Sequence, residues 1–436
     1  MPDQQATPNG RGSDRSMGRS VVASAFGNEL RRLRRKAGLS LRQFAQLVHY
    51  DAGHLSKIEN GLRLPSPDLA RTCDVHLGAD GHLSVLGPAE RSADPRLIDP
   101  HTSSSEAEDL IGVAAGTALA FSLATQATSR EVVGLLYDEV RTLAQEYPRR
   151  PLTQLLTRMV QVQDLAFQVL GDRARPADAR QLYFLAGITC GMVAKASHDL
   201  AQPRAAMIQT RTAFVCAEQA GHRGLMAWVR GLQALIAYWA GRPAESVRHA
   251  EDGNGLSQNS TAIWLPISES RGWAALGHAE SAFSAIRRAE DAADLVRPDD
   301  LDELGGMCFC GPTRAQFYAA DAFTWMPEHA KTAERYAEQA VEAYADQSSA
   351  EWSIGNQAAS HAAMSAARVI QGEIDGAAEA LAPALTLAPE HRITGVISSV
   401  LRVGHAVRRS NLGQDAAELT EQIESFVRAP AVALQP

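Results

Sequence analysis

The apolar positions of the first ninety residues recur at intervals of three and four and predict a series of short helices. Leu30, Leu33 and Ala37 share one helical face, and Gly38 follows them at the point where a helix would end. Ser40 is a residue type that caps helix N-termini, so a second helix is expected directly after it. The apolar face of that helix contains Leu41, Phe44, Ala45 and Val48.

A third and a fourth helix are predicted at similarly short intervals. The turn His49–Tyr50 leads to Asp51, which would cap a helix over Ala52–Asn60. Ser66–Pro67 combines a capping residue with a proline at the first helical position, which starts a fourth helix. The inward-facing positions of these two helices are Leu55, Ile58, Leu69, Ala70 and Cys73.

The remaining three quarters of the chain also follow a helical pattern. Amphipathic segments alternate with Gly, Pro, Asn or Asp, and no run of alternating apolar and polar residues predicts strands. Tyr238–Ser246 resembles Trp273–Ser281, and their glycines Gly241 and Gly277 are 36 positions apart. A weaker third copy surrounds Gly372. Each copy predicts two helices joined at a glycine turn.

The composition indicates an all-α protein with more than one domain. Apolar residues make up 45% and charged residues 21%, which is typical of globular chains, and 6% aromatic content with abundant Ala disfavours an all-β fold. A chain of 436 residues exceeds one ordinary core. Shifts in polarity and in Pro and Ser content predict a disordered tail over 1–22, a head over 23–88, a linker over 89–105 and a helical body over 106–430.

The net charge of −8 conceals an asymmetry between these segments. The first 91 residues carry 13 Lys+Arg and 9 Asp+Glu, whereas the rest carries 29 and 41. A basic head on an acidic body is typical of a DNA-binding domain joined to a domain with another partner. The basic run Arg31–Lys36 is by itself equally compatible with a solvated helix face.

The strings Leu39-Ser40-x-x-x-Phe44-Ala45 and Leu55-Ser56-Lys57-Ile58-Glu59-Asn60-Gly61 resemble the Cro/repressor-type (XRE) helix-turn-helix family. The resemblance implies an N-terminal five-helix, lambda-repressor-like domain that binds a palindromic operator on double-stranded DNA as a homodimer. It also implies that the third helix enters the major groove.

The matching positions give a set of candidate DNA contacts. Lys57 can donate to guanine, and Ser56 can contact a base or a phosphate. Ala52 and Gly53 would also face DNA but offer little hydrogen bonding, so methyl contacts, shape or water would carry part of the specificity. Glu59 is expected to bond within the domain. The candidate phosphate contacts are Arg42, Tyr50, Asn60 and Arg63.

The repeat in the body resembles the tetratricopeptide (TPR) repeat, although no copy meets the full consensus. Such hairpins stack into a solenoid with a concave face. A head of XRE type on a TPR-like body resembles actinobacterial regulators of this two-part architecture and, more distantly, peptide-sensing regulators of Gram-positive bacteria. That resemblance implies a ligand-binding concave face.

Polar and aromatic residues on the first helices of the hairpins are the candidate ligand contacts. Asn and Gln can hold a peptide backbone, and Arg can hold a carboxylate with two hydrogen bonds. The alternative is that the aromatic residues pack between helices. The candidates are Trp228, Arg230, Gln233, Trp264, Glu269, Arg271, Tyr318, Trp352, Asn356 and Gln357.

Several chemistries lack their sequence signatures. The chain contains no phosphate-binding loop, zinc-protease motif or nucleophile elbow, so no cofactor and no catalytic activity are expected. Cys308-Phe309-Cys310 lacks the spacing of a zinc site, and five scattered cysteines predict reduced thiols in a cytoplasmic protein without a bound metal. The uncharged stretch Leu110–Ser129 is rich in Ala, Gly, Thr and Ser, which favours a buried helix over a membrane span.

The combined prediction is a sequence-specific transcription regulator whose body dimerises or senses a small molecule or short peptide. The alternative is a TPR-like adaptor for protein partners, with the head as a secondary DNA tether. Sequence-selective, salt-dependent DNA binding would favour the regulator, and a stoichiometric protein partner would favour the adaptor.

Overall fold

The computed structural model describes residues 26–48, 50, 52–60, 65, 67–77, 79, 83, 129–172, 176–410 and 416–428. The predicted tail, the predicted linker and nearly all of the uncharged stretch Leu110–Ser129 lie outside these residues. The chain divides into two compact units, 1–106 and 107–436, which are described here one at a time. The described residues are helical and contain no strand, so the fold is all-α, as predicted.

Four helices are described in the head: α1 (26–36), α2 (Leu41–Leu47), α3 (Ala52–Glu59) and α4 (Pro67–Leu77). The predicted helix ends are confirmed at two places. Gly38 has a φ of 70°, which suits glycine after a helix, and Ser40 forms a capping box with Gln43. His49, Asp51, Gly61, Ser66 and the fifth helix implied by the family resemblance lie outside the described residues.

The head packs around one small core in which α1 lies directly against the end of α3. Phe26, Leu30, Phe44, Leu55 and Ile58 are all fully buried. The predicted face of α4 is confirmed, because Leu69, Ala70 and Cys73 are buried. At Gly27 of α1, a Cβ atom would overlap the carbonyl oxygen of Ile58, so the close approach requires glycine.

The described part of the body contains fourteen α-helices that pair into seven hairpins. Each helix packs against its hairpin partner, and the first helix of each hairpin also contacts the first helix of the next. The pairs in chain order are α5 (Ser129–Glu146) with α6 (Leu152–Asp172), α7 (Pro176–Asp199) with α8 (Pro203–Ala220), α9 (Arg223–Trp239) with α10 (Pro243–Gly253), α11 (Thr261–Ala275) with α12 (Ala279–Ala293), α13 (Pro312–Phe323) with α14 (Ala330–Ala343), α15 (Ile354–Gln371) with α16 (Ile374–Leu385), and α17 (Thr394–Arg409) with α18 (Ala417–Arg428).

The internal repeat seen in the sequence corresponds to the turns of three hairpins. Gly241, Gly277 and Gly372 have φ values of 72°, 81° and 86°, and each follows the first helix of its hairpin. Residues other than glycine rarely adopt this backbone conformation. The prediction of helix hairpins with glycine turns at these positions is therefore confirmed.

The stack of hairpins curves, so that the first helix of the seventh hairpin contacts the first helices of earlier hairpins. Helix α17 contacts both α7 and α9, and the Thr394 hydroxyl donates to the Asp199 carbonyl at 3.0 Å. The Ile354 amide at the start of α15 likewise donates to the Pro148 carbonyl, between α5 and α6, at 3.0 Å. The first helices therefore surround a partly enclosed interior.

Candidate nucleic-acid interface and ligand cavity

Helix α3 divides its residues between the head core and the surface. Leu55, Ile58 and Glu59 are buried, whereas Gly53 and Lys57 are exposed. Ala52 and Ser56 are half-buried on the same helix. The apolar and polar sides of the helix are thus placed as the sequence pattern predicted, and the candidate base contacts form one surface of a single helix.

Glu59 holds α3 to α1 from the inside. Arg34 donates to its two carboxylate oxygens at 2.6 and 2.9 Å, and Arg31 lies 3.4 Å from one of them. Arg34 also donates to the Leu39 carbonyl at 2.7 Å. The hydrogen bond with Glu59 raises the pKa of Arg34, although burial opposes this shift. This geometry agrees with the predicted structural role of Glu59. Arg34, which belongs to the basic run Arg31–Lys36, is buried and bound inside the head.

The other candidate DNA contacts occupy different settings. Asn60 accepts a hydrogen bond from Arg31 through Oδ1, and its Nδ2 is 3.5 Å from the Ser56 hydroxyl. Tyr50 is 37% exposed, and its ring meets His54 edge-on at 5.5 Å. Arg42 is exposed on α2. Arg63 lies outside the described residues, and the DNA-contacting role of all eight residues stays a prediction.

The body contains a partly enclosed cavity of about 110 Å³ that is lined by residues from helices α6, α7, α9, α11, α13, α15 and α17 and from loops. Three of the ten candidate ligand contacts line it: Trp264, Tyr318 and Asn356. The cavity also contains charged residues that sequence reasoning did not single out, because they come from helices far apart in the chain. These are Arg150, Lys195, Asp199, Arg314 and Glu390.

The other seven candidates bond mainly to neighbouring helices and loops. Trp228 is fully buried, with its indole nitrogen 3.4 Å from the Met307 carbonyl. Arg230 donates to Gln233 at 3.0 Å. The Glu269 carboxylate accepts hydrogen bonds from Asn254, Trp273 and Arg288. Trp352 donates to Gln357 at 3.2 Å, and Arg271 belongs to the ion cluster described next.

A buried ion cluster joins four first helices of the body. The Asp321 carboxylate on α13 accepts hydrogen bonds from Arg271 at 2.7 Å, from Tyr238 at 2.8 Å and from Arg402. Burial opposes ionisation of Asp321, but the two guanidinium groups outweigh it and hold the pKa of the carboxyl below its usual range. Arg271 also lies 4.0 Å and 4.1 Å from the ring centres of Tyr238 and Tyr318. The cluster fixes α17 against the middle of the stack.

Two buried nitrogens on the cavity wall have no hydrogen-bond partner among the described residues: Trp264 Nε1 and His198 Nε2. Each side chain is 2% exposed. Burial lowers the pKa of His198 to about 4, so the imidazole is neutral near pH 7. Leaving such a group without a partner costs about 1–3 kcal/mol. Polar groups of this kind point to a site that a ligand or water completes.

The neighbouring carboxylate Asp199 is already engaged. Lys195 contacts it at 2.5 and 2.6 Å, and the Tyr147 hydroxyl donates to it at 2.8 Å. Glu390 is exposed at the cavity rim. The cation of the wall that lacks a carboxylate within 4 Å, among the residues that the structure describes, is Arg314.

The cysteines are free thiols inside the fold, which agrees with the prediction of buried reduced cysteines. Burial raises the pKa of Cys310 to about 12. Within the described ranges, no group of three His, Cys, Asp or Glu residues is arranged to hold a metal ion.

A second opening of about 690 Å³ lies where α17 crosses the ends of α9, α13 and α15. Trp325 and Leu401 are each 37% exposed on its wall. Arg402, His405 and Arg409 supply its basic groups, and no carboxylate lines it among the described residues.

Among the helices that the structure describes, none combines the length and apolar character that crossing a membrane requires. No curated protein matches the chain in sequence. Residues 25–84 match the family described as Helix-turn-helix domain. The head described above, in which α3 follows α2 after a short turn, is therefore a helix-turn-helix domain, and the chain carries the DNA-binding module of a regulator.

Proposed function

We propose that the chain is a sequence-specific transcription regulator of the XRE type. One observation carries this proposal: α3 presents Gly53, Ser56 and Lys57 away from the core while Glu59 anchors its inner side. A helix held in this way can enter a major groove as a rigid element, which is what base recognition requires. Lys57 and Ser56 would read bases, and exposed basic groups such as Arg42 would bind phosphates.

The regulator binds as a homodimer in this proposal, because a single small head offers little interface and the family resemblance implies paired half-sites. The TPR-like body senses an effector in its cavity. The effector changes DNA binding by binding the two arrangements of the dimer with different affinity. The chain acts through binding and not through catalysis, without a cofactor or metal.

Selection of binding sites tests the regulator proposal. The full chain is incubated with fragmented genomic DNA at about 0.15 M salt, where non-specific phosphate contacts are weakened. We expect enrichment of one palindromic motif with half-sites about one helical turn, or a multiple of it, apart. Enrichment that survives Lys57→Ala and Ser56→Ala together would remove the assigned readers, and the absence of any motif would remove the regulator.

The adaptor function is a second candidate because of the open groove beside Trp325 and Leu401. Its exposed apolar side chains and its basic groups suit an acidic, partly apolar protein segment. If the chain is an adaptor, a polypeptide should co-purify with it in a fixed ratio. Leu401→Asp should release that polypeptide, whereas Leu295→Asp, at another exposed site, should retain it.

A further inference from the structure

We propose that the body cavity binds a small molecule bearing a carboxylate, which lies between the Arg314 guanidinium and the indole N–H of Trp264. This inference names the class of effector and therefore rests on the proposed sensing function of the body. It differs from a peptide effector, because the cavity is small and only partly open.

The charge inside the cavity favours an anion. Arg314 on α13 lines the wall, and no carboxylate lies within 4 Å of it among the residues described in the body. The nearby Glu351 accepts the Thr313 amide at the start of α13 and acts on Arg314 from a longer distance, while the Cys310 thiol is hydrogen-bonded to the guanidinium. The other cations of the wall have partners: Lys195 has Asp199, and Arg150 has Glu146. A guanidinium that has no ion pair and lines a partly closed space is a suitable site for a carboxylate.

A second donor lies beside the same guanidinium. The Arg314 guanidinium carbon is 5.9 Å from the ring centre of Trp264, whose side chain is 2% exposed. Among the residues that the structure describes, the indole N–H has no hydrogen-bond partner, and a carboxylate oxygen would satisfy it. Two donors from different helices, α11 and α13, therefore belong to side chains that line the same cavity. His198 Nε2 offers a further unpaired atom for a second polar group of the ligand.

The size and remaining lining of the cavity limit the ligand further. Its volume of about 110 Å³ is smaller than the cavity of about 150 Å³ that admits benzene in another protein, so about four or five non-hydrogen atoms fit. Leu232, Leu235 and Val396 supply an apolar part of the wall. A short aliphatic carboxylic acid combines the required charge, size and apolar tail.

Calorimetric titration of the full chain tests the inference. The probes are the straight-chain carboxylates from acetate to hexanoate and, as a neutral isostere, propionamide. We expect saturable binding of at least one carboxylate at one site per chain and at least about tenfold weaker binding of propionamide, since a hydrogen bond to a charged group is the stronger kind. Arg314→Met should weaken carboxylate binding at least about tenfold.

Matched variants separate the site from general effects. Arg287→Met, an exposed arginine on α12, should bind the carboxylate as the unchanged chain does. Trp264→Phe removes the indole N–H but keeps an aromatic ring, and should weaken binding several-fold. Because the indole N–H has no hydrogen-bond partner among the described residues, this variant keeps the proposal testable if Arg314→Met fails to fold.

The results also distinguish the inference from the proposed function. Equal affinity for propionate and propionamide, or unchanged binding in both Arg314→Met and Trp264→Phe, would overturn the site. No saturable binding across the series would overturn it as well. Carboxylate binding that leaves DNA binding unaltered would support the site and contradict the sensing function, whereas a carboxylate-dependent change in DNA affinity supports both.

Discussion

The head and the body differ in the exposure of the residues that were candidates for binding. In the head, Gly53 and Lys57 lie exposed on a short helix whose other side is buried. In the body, Trp228 and Arg271 were predicted on a ligand face but lie inside the stack, almost without exposure. One helix against one core has a single inner side, which its periodicity defines. A helix in a closed stack has neighbours on several sides, so periodicity no longer separates a ligand face from a packing face.

Each region also contains a buried carboxylate bound by arginines, and the two carboxylates differ in how many helices they connect. Glu59 joins α3 to α1 of the same small head, whereas Asp321 joins helices of three other hairpins. A carboxylate bound by arginines thus fixes one helix in the head and joins four first helices in the body.

Asp321→Ala should destabilise the body by about 3–5 kcal/mol, because it leaves the buried Arg271 charge without its partner. Urea denaturation followed by far-ultraviolet circular dichroism measures the change in the free energy of unfolding. Glu251→Ala, on an exposed position of α10, should change it by less than about 0.5 kcal/mol. Similar values for both variants would show that the cluster does not hold the stack.

The Asp321 carboxyl should also make the stability of the body depend on pH. Its folded pKa lies below its unfolded value of about 3.9, so it stabilises the fold above about pH 4. This contribution is lost as the pH falls through the folded pKa. Asp321→Asn should therefore show a smaller loss of stability on acidification than the unchanged chain, and an equal acid slope would contradict the assignment.

Glu59→Ala should destabilise the head by about 3 kcal/mol, because Arg34 would remain buried without its carboxylate. The double variant Arg34→Met with Glu59→Leu should recover most of this loss, since an apolar pair avoids desolvating two charges. Thermal unfolding of the head, followed by limited proteolysis, reports both effects. A double variant as unstable as the single one would indicate that packing and not charge is lost.

Lys57→Ala should weaken binding at the selected DNA site by about 1–3 kcal/mol, because it removes a base contact. Binding to random DNA should change little, and the dependence of affinity on salt should stay the same. Fluorescence anisotropy with specific and random duplexes measures both. An equal loss on the two duplexes would assign Lys57 to phosphate contact.

Ser40→Ala should destabilise the head by about 1 kcal/mol, because the Gln43 amide loses its capping partner. Gln46→Ala, at an exposed interior position of α2, tests the helix without changing its cap and should be neutral or slightly stabilising. The midpoint of thermal unfolding distinguishes the two. A larger effect at Gln46 would mean that the cap is not what holds the start of α2.

Local signals in the sequence were reliable where a single residue type satisfies a local requirement. Gly38 and Gly241 were predicted as helix ends and have positive φ, and Ser40 caps α2. The buried roles of Leu55 and Ile58 followed from helical spacing. The sequence did not distinguish Arg34, bound to Glu59, from the exposed Arg35 beside it, because the difference depends on a partner 25 residues away.

The cavity could not be predicted by the same means. Arg314, Trp264 and His198 belong to three helices and share no motif in the chain. Gly27 in the head is a parallel case, since only the position of α3 explains why a side chain would not fit there. A signal for such residues would require knowing which helices approach each other closely.

Three features could be predicted from the sequence: the all-α class, the helix-turn-helix head with its buried and exposed α3 faces, and the hairpins that turn at glycines. Helical periodicity, caps and positive φ angles are properties of neighbouring residues, so local sequence specifies them. Only tertiary contacts bring α17 against α7 and α9, pair Asp321 with Arg402, and place Arg314 on the wall of a partly enclosed cavity. Those outcomes depend on contacts between residues tens to hundreds of positions apart, which the local pattern does not encode.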